Sequence, residues 1–189
     1  VLEKLFVFAV TIESHGFKIA DRILTFFEQY ILYRFLILRN PFSRAQSVFH
    51  YNQSESSAHD YNNNVFGNMN FGEYLSSFYV SDSWLIRCFA KLNDNEQIAQ
   101  QNFDHVLNIL NETFSIYDIK QTDKAISDIL STCYQIDTKD IKLREWDYIT
   151  KNESKYNKVQ FHELPLNIQE AFNKRTHWDQ KLYNTLCMT

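Results

Sequence analysis

The chain has 189 residues, 44% of them hydrophobic and 16% aromatic, and a formal net charge of -4 at pH 7. That is enough material for one substantial core, and no segment is long and apolar enough to span a bilayer. The acidic balance argues against a nucleic-acid binder, whose domain is usually basic, so an anion site on this chain must be local.

The first predicted element is a strand from Leu5 to Ile12, rich in Phe and Val. A helix over Lys18 to Tyr30 follows, with Ile19, Ile23, Leu24 and Phe27 at helical spacing. Glu13 and His15 fall just after the strand, at the C-terminal edge of a sheet, where open α/β folds bind ligands. Phe35 to Leu38 is a short continuous apolar run, as in a parallel strand covered on both faces.

The next helix is predicted from Pro41 to Tyr51, with Asn40 as N-cap and Pro41 at the first helical position, where its missing N–H costs nothing. Arg39 stands at the strand end, and Arg44 and Ser47 are spaced i,i+3 on the helix. A phosphate there would meet two guanidinium groups, a hydroxyl and the positive end of a helix. By spacing alone, the same residues also describe an ordinary strand-to-helix turn with solvated arginines.

Asn52 to Asn70 is polar and aperiodic, an exposed loop of the length often found beside a functional site. Helices are predicted at 71–79, 82–91, 96–113, 122–134 and 165–187, with a strand at 114–119. Asp137 to Gln160 is charged and irregular, and is expected to be a surface excursion on the side of the candidate anion site. Cys88, Cys133 and Cys187 are odd in number and widely spaced, with no pattern suggesting zinc, so free thiols and no metal are expected. The sequons at Asn52, Asn111 and Asn152 occur at about the frequency chance allows. No repeat or domain boundary is visible, which predicts a single domain over 1–189.

Arg39-Asn40-Pro41 with Arg44 and Ser47 resembles the segment of sulfotransferases that binds the 3′-phosphate of 3′-phosphoadenosine 5′-phosphosulfate (PAPS), usually Arg-Asp-Pro-x-x-Arg-x-x-Ser. Asn40 departs from the usual Asp, but both are good N-caps. Phe71-Gly72-Glu73-Tyr74-Leu75, then Ser81-Asp82-Ser83-Trp84-Leu85-Ile86-Arg87, resembles a stretch of the Golgi-type carbohydrate sulfotransferase group and its bacterial, algal and viral relatives. Ala99 to Thr113, Phe114 to Ile119 and Thr122 to Leu130 are similar to that group's next helix, strand and helix. Trp178-Asp179-Gln180-Lys181-Leu182-Tyr183 resembles its closing "[YW]-D-x-x-L-Y" helix.

The resemblance implies an α/β three-layer sandwich with a central parallel sheet and P-loop NTPase-like topology. It implies transfer of a sulfuryl group from PAPS to a hydroxyl, with a carbohydrate as the expected acceptor and no metal. Arg39 and Ser47, with Arg44, would bind the 3′-phosphate. His15 would act as general base, a role that suits a near-neutral imidazole, with Glu13 as the alternative. Arg87 resembles a recurring arginine of the group and equally fits a salt bridge at the core edge. Lys155 and Lys158 are either cofactor contacts or solvated lysines.

The family's opening strand and Lys-x-Gly-Gly-Thr-like phosphosulfate loop have no counterpart here, since Gly16, Gly67 and Gly72 are the only glycines. The expectation is therefore a C-terminal part of a longer enzyme, inactive by itself. Its compartment would be the Golgi lumen in a eukaryote and the cytoplasm in a bacterium or virus, with membrane attachment only through an anchor outside these residues. Two other readings remain open at this point. One is a kinase-like nucleotide-binding fragment, for which a 3′-phosphate site would have no partner. The other is a non-catalytic, degenerate sulfotransferase domain that recognises a glycan or protein.

Overall fold

A computed structural model describes residues 34–53, 69–77, 80, 83–134 and 158–188. The strand expected at Leu5 to Ile12, the helix at Lys18 to Tyr30, both candidate bases (His15 and Glu13), Lys155 and most of the two long irregular segments lie outside them. The described residues are mostly helical, with a small two-stranded parallel sheet, and in that coarse sense the chain is α/β. They divide into two compact units. Residues 34–38 and 107–134 belong to one, and residues 39–106 and 158–188 to the other.

In the first unit, β1 (Phe35–Leu38) and β2 (Ser115–Asp118) pair in parallel, Phe35 opposite Ser115 and Leu38 opposite Asp118. Both strands were predicted, at 35–38 and 114–119. Leu36 and Leu38 are buried while Ile37 is 41% exposed, so the apolar run of β1 behaves as an alternating strand and not as one covered equally on both faces. Asp118 ends β2 by accepting the Lys120 N–H at 2.7 Å, and the Gln121 side chain returns to the Asp118 N–H at 3.2 Å. This reciprocal cap starts a 3-10 turn that leads into a helix over Thr122–Tyr134. That helix packs on both strands, and its fully buried Ala125 allows a close approach. Tyr117 on β2 donates its hydroxyl to Asp128 at 2.7 Å. Burial, together with that bond, pushes the Tyr117 phenol up to about 12.

The second unit holds α1 (Pro41–Gln53), α2 (Phe71–Ser76), α3 (Trp84–Ala90), the first half of α4 (Gln100–Thr113) and α6 (Leu166–Cys187); the helix over Thr122–Tyr134 is α5. Its core joins Ala45 and Phe49 of α1, Tyr74 and Leu75 of α2, Val80, and Phe172 of α6. Phe42 sits within this core, its ring 5.0 Å from Phe161 and 5.8 Å from both Phe71 and Phe172. Such clustered rings carry much of a core's apolar burial.

Two of the boundaries that differ from the sequence expectation have a long-range cause. The helix expected over 71–79 ends at Ser76, and the Arg175 guanidinium of α6 donates to the carbonyls of Ser77 and Val80 as the chain turns away. The helix expected from 96 starts at Gln100. Before it, the buried Arg87 guanidinium donates to the Asn93 and Glu96 carbonyls at 2.7 and 2.8 Å and fixes residues 93–96 as a turn. Asn102 then accepts the Ala99 N–H at 2.8 Å at the helix start.

Candidate functional site

The start of α1 is built as its sequence predicts. Asn40 Oδ1 accepts the backbone N–H groups of Phe42 at 3.0 Å and Ser43 at 3.3 Å, and the Asn40 carbonyl accepts Arg44 N–H at 2.9 Å. Pro41 has no N–H to satisfy. This cap has a chemical consequence for the expected anion site. The first-turn donators are already engaged, so the helix end offers an anion its macrodipole and not a set of free N–H groups. Side chains must make the direct contacts.

Arg39 is half-buried, and its Nε donates to Ser43 Oγ at 3.0 Å. The contact fixes the guanidinium against the first turn of α1. It leaves the terminal nitrogens of Arg39 without a hydrogen bond to any other described residue. Ser43 and Ser47 are spaced i,i+4 and share a helix face, which aligns Arg39, Ser43 and Ser47 in one row. The Ser47 hydroxyl likewise makes no hydrogen bond within the described residues. Ser43 was not singled out from the sequence, although its position four residues after Arg39 and four before Ser47 was the available signal.

Arg44 points elsewhere. Its guanidinium lies over the Trp84 ring of α3, 4.3 Å from the centroid, a cation–π contact. Its positive charge is felt by two groups of the same unit, opposing the burial that pushes the Tyr74 phenol up to about 12 and the Cys88 thiol up to about 11. His50, at the far end of α1, stacks on Phe71 with ring centroids 6.2 Å apart and meets the Phe49 ring edge-on at 5.2 Å. Burial lowers its pKa. Arg87, read from the sequence as a recurring arginine of the resembled group or a salt bridge at the core edge, serves the turn described above. Lys158 is exposed. Among the described residues no group of His, Cys, Asp and Glu side chains is arranged to hold a metal ion.

Ser83 to Arg87 and Trp178 to Tyr183, two of the downstream segments picked out in the sequence, meet in the structure. Ser83, just before α3, adopts a left-handed backbone (φ 47°) and makes no side-chain cap of its own. Its hydroxyl instead donates to the Arg175 carbonyl at 2.9 Å and accepts Trp178 N–H at 3.2 Å. The buried Asp179 carboxylate caps α3 from across the unit, accepting Leu85 N–H at 3.0 and 3.1 Å and Ile86 N–H at 3.1 Å. Both Ser83 and Asp179 thus join α3 to α6, and neither has a local sequence signal for that role. No family model, curated protein or solved structure matches the chain.

Proposed function

We propose that the chain is part of a PAPS-dependent sulfotransferase that moves a sulfuryl group to a hydroxyl, with a carbohydrate as acceptor, on a three-layer α/β domain of P-loop-like topology. The observation that carries this reading is the row formed by Arg39, Ser43 and Ser47. A guanidinium is held in place through its Nε, on the helix face that also presents the Ser47 hydroxyl, and among the described residues neither its terminal nitrogens nor that hydroxyl makes a hydrogen bond. A phosphate monoester matches that combination, because a guanidinium offers paired donors and a hydroxyl adds a third.

In this reading Arg39 and Ser47 contact the 3′-phosphate of the donor, and Arg44 adds positive charge from its seat on Trp84. These groups orient the donor without reacting, so their contribution is positional. His15, or Glu13 in its place, would take the proton from the acceptor hydroxyl as the sulfuryl group transfers in line.

The test compares adenosine 3′,5′-bisphosphate with adenosine 5′-monophosphate by calorimetry. Arg39→Ala should weaken the bisphosphate by about 1.5–3 kcal/mol and the monophosphate far less, because only the former carries the phosphate assigned to this side chain. Ser47→Ala should act in the same direction, but less. Equal losses for both nucleotides would mean that Arg39 serves the fold, and the reading would fall.

A further inference from the structure

A hollow lined by described residues lies elsewhere in the second unit, between the 94–98 segment and α6. It has a volume of about 740 Å³, and its lining includes Asp94, Gln97, Lys174, His177 and Trp178. A second hollow of about 420 Å³ continues along α6 past Lys181 and Asn184, and His177 lines both. Residues 173, 177, 181 and 184 recur at helical spacing, so the two hollows follow one face of α6. Joined end to end, they suit an extended ligand better than a single small molecule.

The chemistry of the lining narrows the class. Asn95, Gln97 and Asn173 supply amides, which both donate and accept. Gln180 is pre-set by donating to Asn173 Oδ1 at 3.1 Å and Thr176 Oγ1 at 2.8 Å. Asp94 and Glu96 put carboxylates on the same wall, which disfavours a polyanion. Two of the nearby cations are already occupied. Arg87 holds the Asn93 and Glu96 carbonyls, while Lys181 lies over the Phe103 and Trp178 rings and donates to Gln100 at 2.8 Å. The exposed large apolar side chains of the described residues, such as Leu166 and Met188, line neither hollow, so the anchors an amphipathic helix or a proline-rich peptide would need are missing here.

We infer that this track binds a linear, uncharged oligosaccharide, whose alternating hydroxyls match the amide and carboxylate groups and whose ring faces can lie near Trp178. The inference goes beyond sulfuryl transfer and does not depend on it, because the track shares no residue with the Arg39 row.

Calorimetry with cellotetraose, chitotetraose and maltotetraose as probes tests it directly, with a heparin-derived tetrasaccharide as the polyanionic comparison. At least one neutral probe should bind. His177→Ala and Gln97→Ala should each weaken that binding by roughly three- to tenfold while the thermal melting point stays in place. Failure of all three neutral probes to bind, binding indifferent to both substitutions, or equally tight binding of the heparin fragment would overturn the proposal. The nucleotide titrations read the donor site separately, so either proposal can fail while the other stands.

Discussion

The carboxylate of Asp179 accepts the backbone N–H of Leu85, 94 residues earlier in the chain, and so supplies α3 with a cap that its own flanking serine does not provide. Ser83 is free to do something else because of this. Its hydroxyl binds the α6 backbone on the same joint.

Removing that carboxylate should be costly. Asp179→Ala leaves the Leu85 and Ile86 N–H groups without their acceptor, and a loss of about 2–3 kcal/mol in unfolding free energy is expected from urea melts. Asp179→Asn, which keeps one acceptor oxygen, should lose less. A loss below about 0.5 kcal/mol for the alanine variant would show that water replaces the cap at no cost.

Arg44 should contribute to stability through Trp84. Arg44→Met keeps much of the aliphatic packing but removes the cation over the indole, and should lower stability by about 0.5–2 kcal/mol in thermal or urea unfolding. Its effect on bisphosphate affinity should be smaller than that of Arg39→Ala. A larger effect on affinity than Arg39→Ala would place the Arg44 guanidinium on the phosphate itself.

His50 gives the fold a dependence on acidity with a definite sign. Burial lowers its pKa below the ordinary 6.5, so the unfolded chain takes up its proton more readily than the folded one. Stability should therefore fall as pH drops below about 6.5 and stop falling, on this account, once pH passes the lowered folded value. In His50→Gln that part of the slope should vanish. An unchanged slope between pH 7 and 5 in the variant would assign it to other groups.

Cys88 should be a slow thiol. It is half-buried, and burial, reinforced by the Asp179 carboxylate, pushes its pKa from 9.0 up to about 11. At pH 8 the thiolate fraction is then roughly a hundredfold smaller than for an ordinary cysteine, and alkylation by iodoacetamide should slow accordingly. Peptide mapping by mass spectrometry would show label at Cys88 appearing at the normal rate only in denaturant. Rapid labelling of the folded chain would contradict the buried setting.

What could be read from the sequence divides along the range of the forces involved. The start of α1 was legible because Asn40 and Pro41 act within one turn of themselves, and β1 because a short apolar run carries its own signal; β2, Ser115–Asp118, has no such run. The end of α2 and the start of α4 were not legible, since Arg175 and Arg87 set them through contacts made only after the chain has folded. The same holds for the candidate site. Arg39 and Ser47 stood out by spacing, but the seat of Arg44 on Trp84 joins two different helices, and the Arg39–Ser43 contact depends on a side-chain rotamer. The track along α6 could not be seen at all, because its walls come from segments about 80 residues apart in the sequence.

The late position of Asp179 also has a consequence for the order in which the protein is made. A helix as short as α3, only seven residues, does not persist alone in water. Its cap at Asp179, the Arg175 clamp on Ser77 and Val80, and the buried Phe172 are all translated after it, within α6. During synthesis the earlier helices of this unit must therefore wait, with apolar surface uncovered, until the ribosome has released α6. That interval is when the chain is most open to aggregation and most in need of a chaperone.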